Sequence, residues 1–432
     1  MLISKNAIAI TGLGCRFPGA NNIDEYWHLL RSGINTISYF SKEELKLVGI
    51  DPLILNDLNY IRARGILNNL ETFDQEKLIF SNEELTNVDL QARIFLYLVW
   101  QALEDAGIDP NSCPKKTAVF TGANESSFAK NLINVSSKRV HTMQPMMEVA
   151  YARSLSAIVA YQFNLQGRAI SLHTGCSTSL VAIIQACEEL SLRQVDLAIA
   201  GGVSITYPEQ AGYLYEEGGV LSPNGACRPF DVEANGTVLS NGAGVVVLKR
   251  LEDAIAAGDK IYSTIIGKAI NNDGRMKTGF LAPSIKGQHT CIAHAWSDAN
   301  IGLEQIDYIE AHGSATIVGD PIEIFALKKI HNGQGCDRKW CGIGSVKSNI
   351  GHTTVASGMA AIIKAALMIH HKVIVPTINF NSLNTNIDLD NTPFYIASKF
   401  EQLPTNKENF HIGVSNFGLG GTNAHIVLRN FR

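Results

Sequence analysis

The sequence is short of charge. Asp, Glu, Lys and Arg make up 18% of its 432 residues, against ~25% in average soluble proteins. Forty acidic and 36 basic side chains leave a net charge of −4. No run of five or more basic residues occurs, so a nucleic-acid surface is disfavoured. Long apolar runs are missing too. AGVVVL at 243–248 and MAAII at 359–363 fall far below the ~18 residues of a spanning helix. The opening MLISKNAIAITGLG meets its glycines too early for a signal peptide. None of the eight cysteines sits in a CxxC pair, which removes zinc-finger spacing and argues against a disulfide framework at this size. These absences lead us to expect a reduced, cytoplasmic protein with no metal site, no nucleic-acid partner and no membrane span. Disorder is excluded by a hydrophobic content of 46%.

Glycine is what the chain has in plenty, 37 in all. Short β-rich runs end in glycine turns: AIAITGLG, KTAVFTGAN, DLAIAGGVSI, GAGVVVLKR, IYSTIIGKAI, IDYIEAHG, WCGIGSV and HIGVSNFG. They alternate with helical patterns, which predicts α/β layering on parallel strands. Residues 92–107, with Ile94, Tyr97, Leu98 and Ala102 at helical spacing and Gly107 at the end, are predicted as one helix. Residues 36–90 are more polar and irregular, like a long insertion. At ~150 residues per domain the length suggests about three domains. An internal echo points to duplication instead: GCSTSLVAIIQA (175–186) and GHTTVASGMAAIIKA (351–365) both run from glycine through a reactive side chain and two hydroxylated residues into a helix, and AIIQA and AIIKA superpose once a three-residue gap is allowed.

Both echoed segments carry a reactive side chain. Cys176 lies between a strand-like run and a helical one containing Leu180, Ile183, Ile184 and Cys187. A thiol at a helix N-terminus gains thiolate character from the dipole and unpaired N–H groups. The same N–H groups can hold a tetrahedral oxyanion. The competing reading is a small buried cysteine, and Cys187 is read that way. His312 follows the strand IDYIEA, and His352 stands in SVKSNIGH five residues after Lys347. A lone histidine is more often structural. Two histidines and a cysteine, each at a strand-to-helix turn, favour catalysis. The GxGG of VSNFGLGGTNAHIV is not followed by a helix, so a dinucleotide cradle fails.

Taken together, GCRFPGA, TGCSTSLVA, GGVLSPNGACRPFD, INNDG, EAHGSAT with GDPIE, SVKSNIGH and SNFGLGGTNAH resemble the β-ketoacyl synthases, above all the ketosynthase domains of modular polyketide synthases and their hybrids with peptide synthetases. The resemblance runs from about Ala7 to Leu428. It implies an α/β, thiolase-like fold: duplicated α/β halves, about 1–262 and 263–432, in a five-layer α-β-α-β-α sandwich within one ketosynthase domain, and a homodimer. It implies Cys176 as acyl acceptor, His312 and His352 as catalytic histidines and Lys347 as the lysine of their motif. Phe417 matches the phenylalanine whose N–H completes the oxyanion hole and whose ring gates the pocket. Ser314 and Thr316 match hydroxyl residues that touch the phosphopantetheine arm of an acyl carrier protein. No bound cofactor is implied. An acyltransferase acting in cis or in trans is a further implied partner.

Departures from the family pattern bear on substrate rather than chemistry. EAHGSAT carries Ala315 where glycine is usual; HTGC has His173 and Gly175 in place of an aspartate and an alanine. DLQAR (89–93) and KLIFS (77–81) also differ. His173 falls on the opposite strand face from Cys176 and is read as structural. A degradative thiolase would need a late second cysteine, and Cys341 reads as strand instead. Decarboxylating loading homologues and chain-length partners lack the cysteine, and non-elongating ketosynthases typically lose the EAHG histidine. Decarboxylative elongation is therefore the expectation. Transacylation alone and a non-catalytic carrier-docking scaffold are its competitors.

Overall fold

Nine consecutive buried residues, Ile8–Arg16, form β1, the strand on which the architecture turns. The structure is a computed structural model that describes residues 7–68, 70, 77–80, 88–125, 154–331, 336, 338–403 and 407–431. Ten further strands join β1 in one sheet: β2 (Thr117–Ala123), β3 (Ala169–Ser171), β4 (Leu197–Ser204), β5 (Gly242–Arg250), β6 (Ser263–Asn272), β7 (Tyr308–Glu310), β8 (Cys341–Gly344), β9 (Phe394–Ile396), β10 (His411–Phe417) and β11 (Thr422–Arg429). Among the described residues their order is β9-β8-β7-β10-β11-β6-β1-β5-β4-β2-β3.

That order is the same pattern written twice. Moving outward from β1, the neighbours are β5, β4, β2 and β3; moving outward from β6, they are β11, β10, β7 and β8. The first two pairings of each set are antiparallel and the next two parallel. The two sets meet where Ile8–Ile10 pairs antiparallel with Ser263–Ile265. The sheet is therefore mixed, which corrects the expected parallel arrangement. Alternation of strand and helix signals does not reveal the return strands β5 and β11, which follow β4 and β10 with no helix of the sandwich between them.

Helices complete five layers. α1 (Leu90–Asp105) and α2 (Leu155–Gln162) share an apolar core with the outer face of the first strand set. α4 (Ile285–Asp298) and α5 (Gly319–Ile330) do the same for the second. Between the sets lie α3 (Thr178–Ser191) and α6 (Ser357–His371), in a core drawing on both. A helix in that middle position must be apolar all round, and every residue of α6 from Ser357 to Ile369 is buried. The segment Thr354–His371 is long and apolar enough to cross a membrane, and 83% of it is buried here inside the protein. α3 and α6 touch closely, because a Cβ on Gly358 would stand 2.7 Å from the backbone nitrogen of Leu180.

The predicted helix at 92–107 is α1, displaced by two residues because Asp89 caps it, accepting from the N–H of Gln91 at 2.8 Å. The insertion at 36–90 contains local order: Ile37–Tyr39 pairs with Ala63–Gly65, and short helices cover Lys42–Leu47 and Pro52–Leu55. Residues 69, 71–76 and 81–87 of that insertion, including the last residue of KLIFS, lie outside the described residues.

Candidate active site

The echoed segments occupy equivalent places, Cys176 just before α3 and His352 ahead of α6. Cys176 is held in a tight turn. Gly175 has φ +66°, where a side chain would be strained. The Thr178 hydroxyl donates to the Gly175 carbonyl at 2.6 Å and accepts the Thr174 N–H at 2.8 Å. The Ser357 hydroxyl, from the start of α6, donates to the Cys176 carbonyl at 3.0 Å. The thiol is enclosed by protein atoms yet keeps partial access to solvent. Burial pushes its pKa up. The cation of Lys347 and the N–H groups of Leu419 and of Cys176 itself pull the other way and do not prevail. The expected gain in thiolate from the helix terminus is thus outweighed by desolvation.

His312 and His352 come together edge to face, ring centroids 5.5 Å apart at 81°. The N–H of Thr354 donates to His352 Nδ1 at 3.1 Å, and the N–H of Phe417 to His312 Nδ1 at a longer 3.4 Å. A nitrogen that accepts carries no proton, so each neutral ring bears its hydrogen on Nε2. Burial first, then the Lys347 charge, hold both rings well below the usual histidine pKa. They are neutral N–H donors. The backbone of His352 is fixed between Val238 and Ser240, donating to the Val238 carbonyl at 2.8 Å and accepting from Ser240 at 3.1 Å.

Lys347 is 1% exposed and donates from Nζ to the His312 carbonyl at 2.5 Å. Burial lowers its pKa, opposed by Glu310 and Glu323. Glu323 accepts the N–H groups of His312 and Gly313 at 2.8 and 2.9 Å, and Asp320 those of Phe230 and Ala315 at 2.8 and 3.0 Å. Burial raises both carboxyls to about 7. Behind them Glu310 accepts the Val346 N–H at 2.7 Å and pairs at 2.6 Å with Lys364 of α6, both side chains fully buried. Ala315 adopts φ +62°, the strained choice that glycine would relieve. Ser314 and Thr316 share a hydroxyl contact of 3.1 Å.

One sequence-based assignment moves. Phe417 packs its ring 5.8 Å from His312 and spends its N–H on that histidine. The N–H that faces the thiol from this turn belongs to Leu419, two residues on, itself 55% exposed. Gly418 permits the approach, since a Cβ there would lie 2.1 Å from the Thr174 carbonyl oxygen. Sequence motifs assign no role to Glu323, Asp320, Glu310 or Lys364. GDPIE holds a signal for the first two; the others depend on tertiary contacts. His173 is exposed, in contrast to the half-buried or buried cluster. Among the described residues no group of three or more His, Cys, Asp or Glu could hold a metal ion.

The family model described as "Beta-ketoacyl synthase, N-terminal domain" matches residues 5–254, and the corresponding C-terminal domain matches 262–381. A component of the phenolphthiocerol/phthiocerol polyketide synthase of Mycobacterium tuberculosis is 39% identical over 99% of this chain and 29% of its own length. Polyketide synthase PksN of Bacillus subtilis is 34% identical over 99% of the chain and 8% of its own length. The chain thus spans less than a third of either relative. The crystal structure of ketosynthase twelve from the bacillaene polyketide synthase of Bacillus amyloliquefaciens superposes with a TM-score of 0.93 at 35% identity, covering 100% of this chain and 76% of that one.

Proposed function

The chain belongs to the β-ketoacyl synthase family, and from that premise we propose that it extends acyl chains carried on phosphopantetheine arms by decarboxylative condensation. What carries this reading is a single cluster: a thiol faced by two backbone N–H groups, with two neutral imidazoles and a buried lysine around it. The Cys176 sulfur attacks the carbonyl of an acyl thioester. The N–H groups of Cys176 and Leu419 hold the oxyanion, and the carrier thiol leaves with the proton that Cys176 gives up. Each such donor is worth ~3–4 kcal/mol at the transition state. A malonyl-type thioester then loses carbon dioxide. Its enolate oxygen is received by the Nε2–H groups of His312 and His352. The enolate carbon attacks the Cys176 thioester, a carbon–carbon bond forms, the carbon–sulfur bond breaks, and the Cys176 thiolate so released takes a proton from solvent.

Ser314 and Thr316 are assigned to the arm of the carrier, and an acyltransferase in cis or in trans supplies the extender. We further assign a homodimer through β3, the last strand of the sheet among the described residues. All three of its residues are exposed, Ile170 at 41%, and such an edge invites pairing. The deciding experiment is intact-mass analysis after mixing with acyl-carrier and then malonyl-carrier. The expected result is an acyl adduct absent from Cys176→Ala, followed by a product two carbons longer. An adduct without extension points to transacylation alone. No adduct at all points to a carrier-docking scaffold.

A further inference from the structure

Thr354 has φ +44°, a left-handed conformation that is a genuine outlier for a β-branched residue. Such a residue keeps that backbone only where its surroundings over-determine it. Here the restraint is a hydroxyl pair: Thr354 Oγ1 and Ser204 Oγ stand 2.5 Å apart. Ser204, 2% exposed at the end of β4, is itself gripped by Asn124 Nδ2 at 3.3 Å. Gln91, in the first turn of α1, fixes both strand ends by donating to the Asn124 carbonyl and accepting the Ile205 N–H, each at 3.0 Å. The strained backbone is what carries the Thr354 N–H to His352 Nδ1. His352 has independent backbone restraints at Val238 and Ser240, so the ring and not the chain depends on Thr354.

We infer that Thr354 and Ser204 are positioning residues that select the Nε2–H tautomer of His352, braced from behind by Asn124 and by Gln91 of the DLQAR motif. The inference rests on the proposed condensing reaction for its kinetic consequence but not for its structural one. Without the hydroxyl tie, residue 354 relaxes to negative φ and withdraws its N–H. Either ring nitrogen of His352 can then hold the proton, and the donor is in place only part of the time.

Two readouts test this on the whole chain. In Thr354→Val and Ser204→Ala, decarboxylation of malonyl-carrier should fall about tenfold while acylation of Cys176 by acyl-carrier stays within twofold. Thr354→Ser, which retains the hydroxyl, should restore decarboxylation. Equal loss in both half-reactions, or no loss in Thr354→Val, would overturn the inference. The second readout needs no substrate: with 15N-labelled histidine, the His352 signal (identified by its loss in His352→Gln) should show one neutral tautomer in the parent and a mixture in Thr354→Val. If the parent is inert towards both carriers the proposed function falls, and the tautomer signal alone decides this inference. An unchanged signal in Thr354→Val rejects it.

Discussion

The rings of His312 and His352 stand at 81° with centroids 5.5 Å apart, and each Nδ1 is met by a backbone N–H that can only donate. Both are therefore built to stay neutral, and a histidine NMR titration between pH 8 and 5.5 should find neither ring changing charge near 6.5. Their folded pKa values lie below the unfolded 6.5. The stability they leave intact above pH 6.5 is therefore lost as pH falls below it, at about 1.4 kcal/mol per pH unit for each ring until the folded pKa is reached. A ring that titrates at 6.5 would contradict the arrangement.

Leu419 supplies a backbone hydrogen rather than a side chain. Leu419→Ala should leave the rate of Cys176 acylation within a few-fold. Gly418→Ala should cost on the order of 100-fold, because its Cβ collides with the Thr174 carbonyl and drives the turn away from the thiol. Stopped-flow acylation with an acyl-carrier thioester measures both. Equal effects would remove the oxyanion role of that N–H.

The buried thiol of Cys176 sits above the usual cysteine pKa despite Lys347. Alkylation by iodoacetamide should accordingly be slow at pH 7.5 and still rising at pH 9. Lys347→Met should slow it further at every pH in that range, by about tenfold for each unit the thiol pKa rises. A plateau already reached by pH 7.5 would mean a preformed thiolate.

The Lys364–Glu310 pair has no solvent on either partner. Removing one charge strands the other, so Lys364→Met should destabilise the fold by ~3–5 kcal/mol in urea denaturation. The double variant Lys364→Met with Glu310→Gln should recover most of that loss. Additive losses in the double variant would show that the two side chains act separately.

Much of this site is legible in the residues alone. The turns holding Cys176, His312 and His352 are visible because each apolar run breaks at a glycine beside a reactive side chain. Their duplication is visible because α3 and α6 are alike apolar helices that must fit between the two strand sets. Strand direction is not, since residue alternation is the same in parallel and antiparallel strands. The donor at Leu419 is hidden for a related reason: a backbone N–H leaves no trace in residue identity, and motif matching points instead to Phe417. Thr354 gives no signal either, as nothing in GHTTVAS announces a left-handed threonine.

The central seam of the sheet has a consequence in time. β1 is made before both of its partners, and β5 and β6 lie more than 200 residues further along the chain. At synthesis rates of ~5–20 residues per second the wait is roughly 10–50 s. Throughout that interval an apolar strand has both edges open and neither of its native strand partners. The ribosome-bound chain therefore passes through an aggregation-prone period set by topology alone, and the demand for a chaperone is written into which strand sits in the middle.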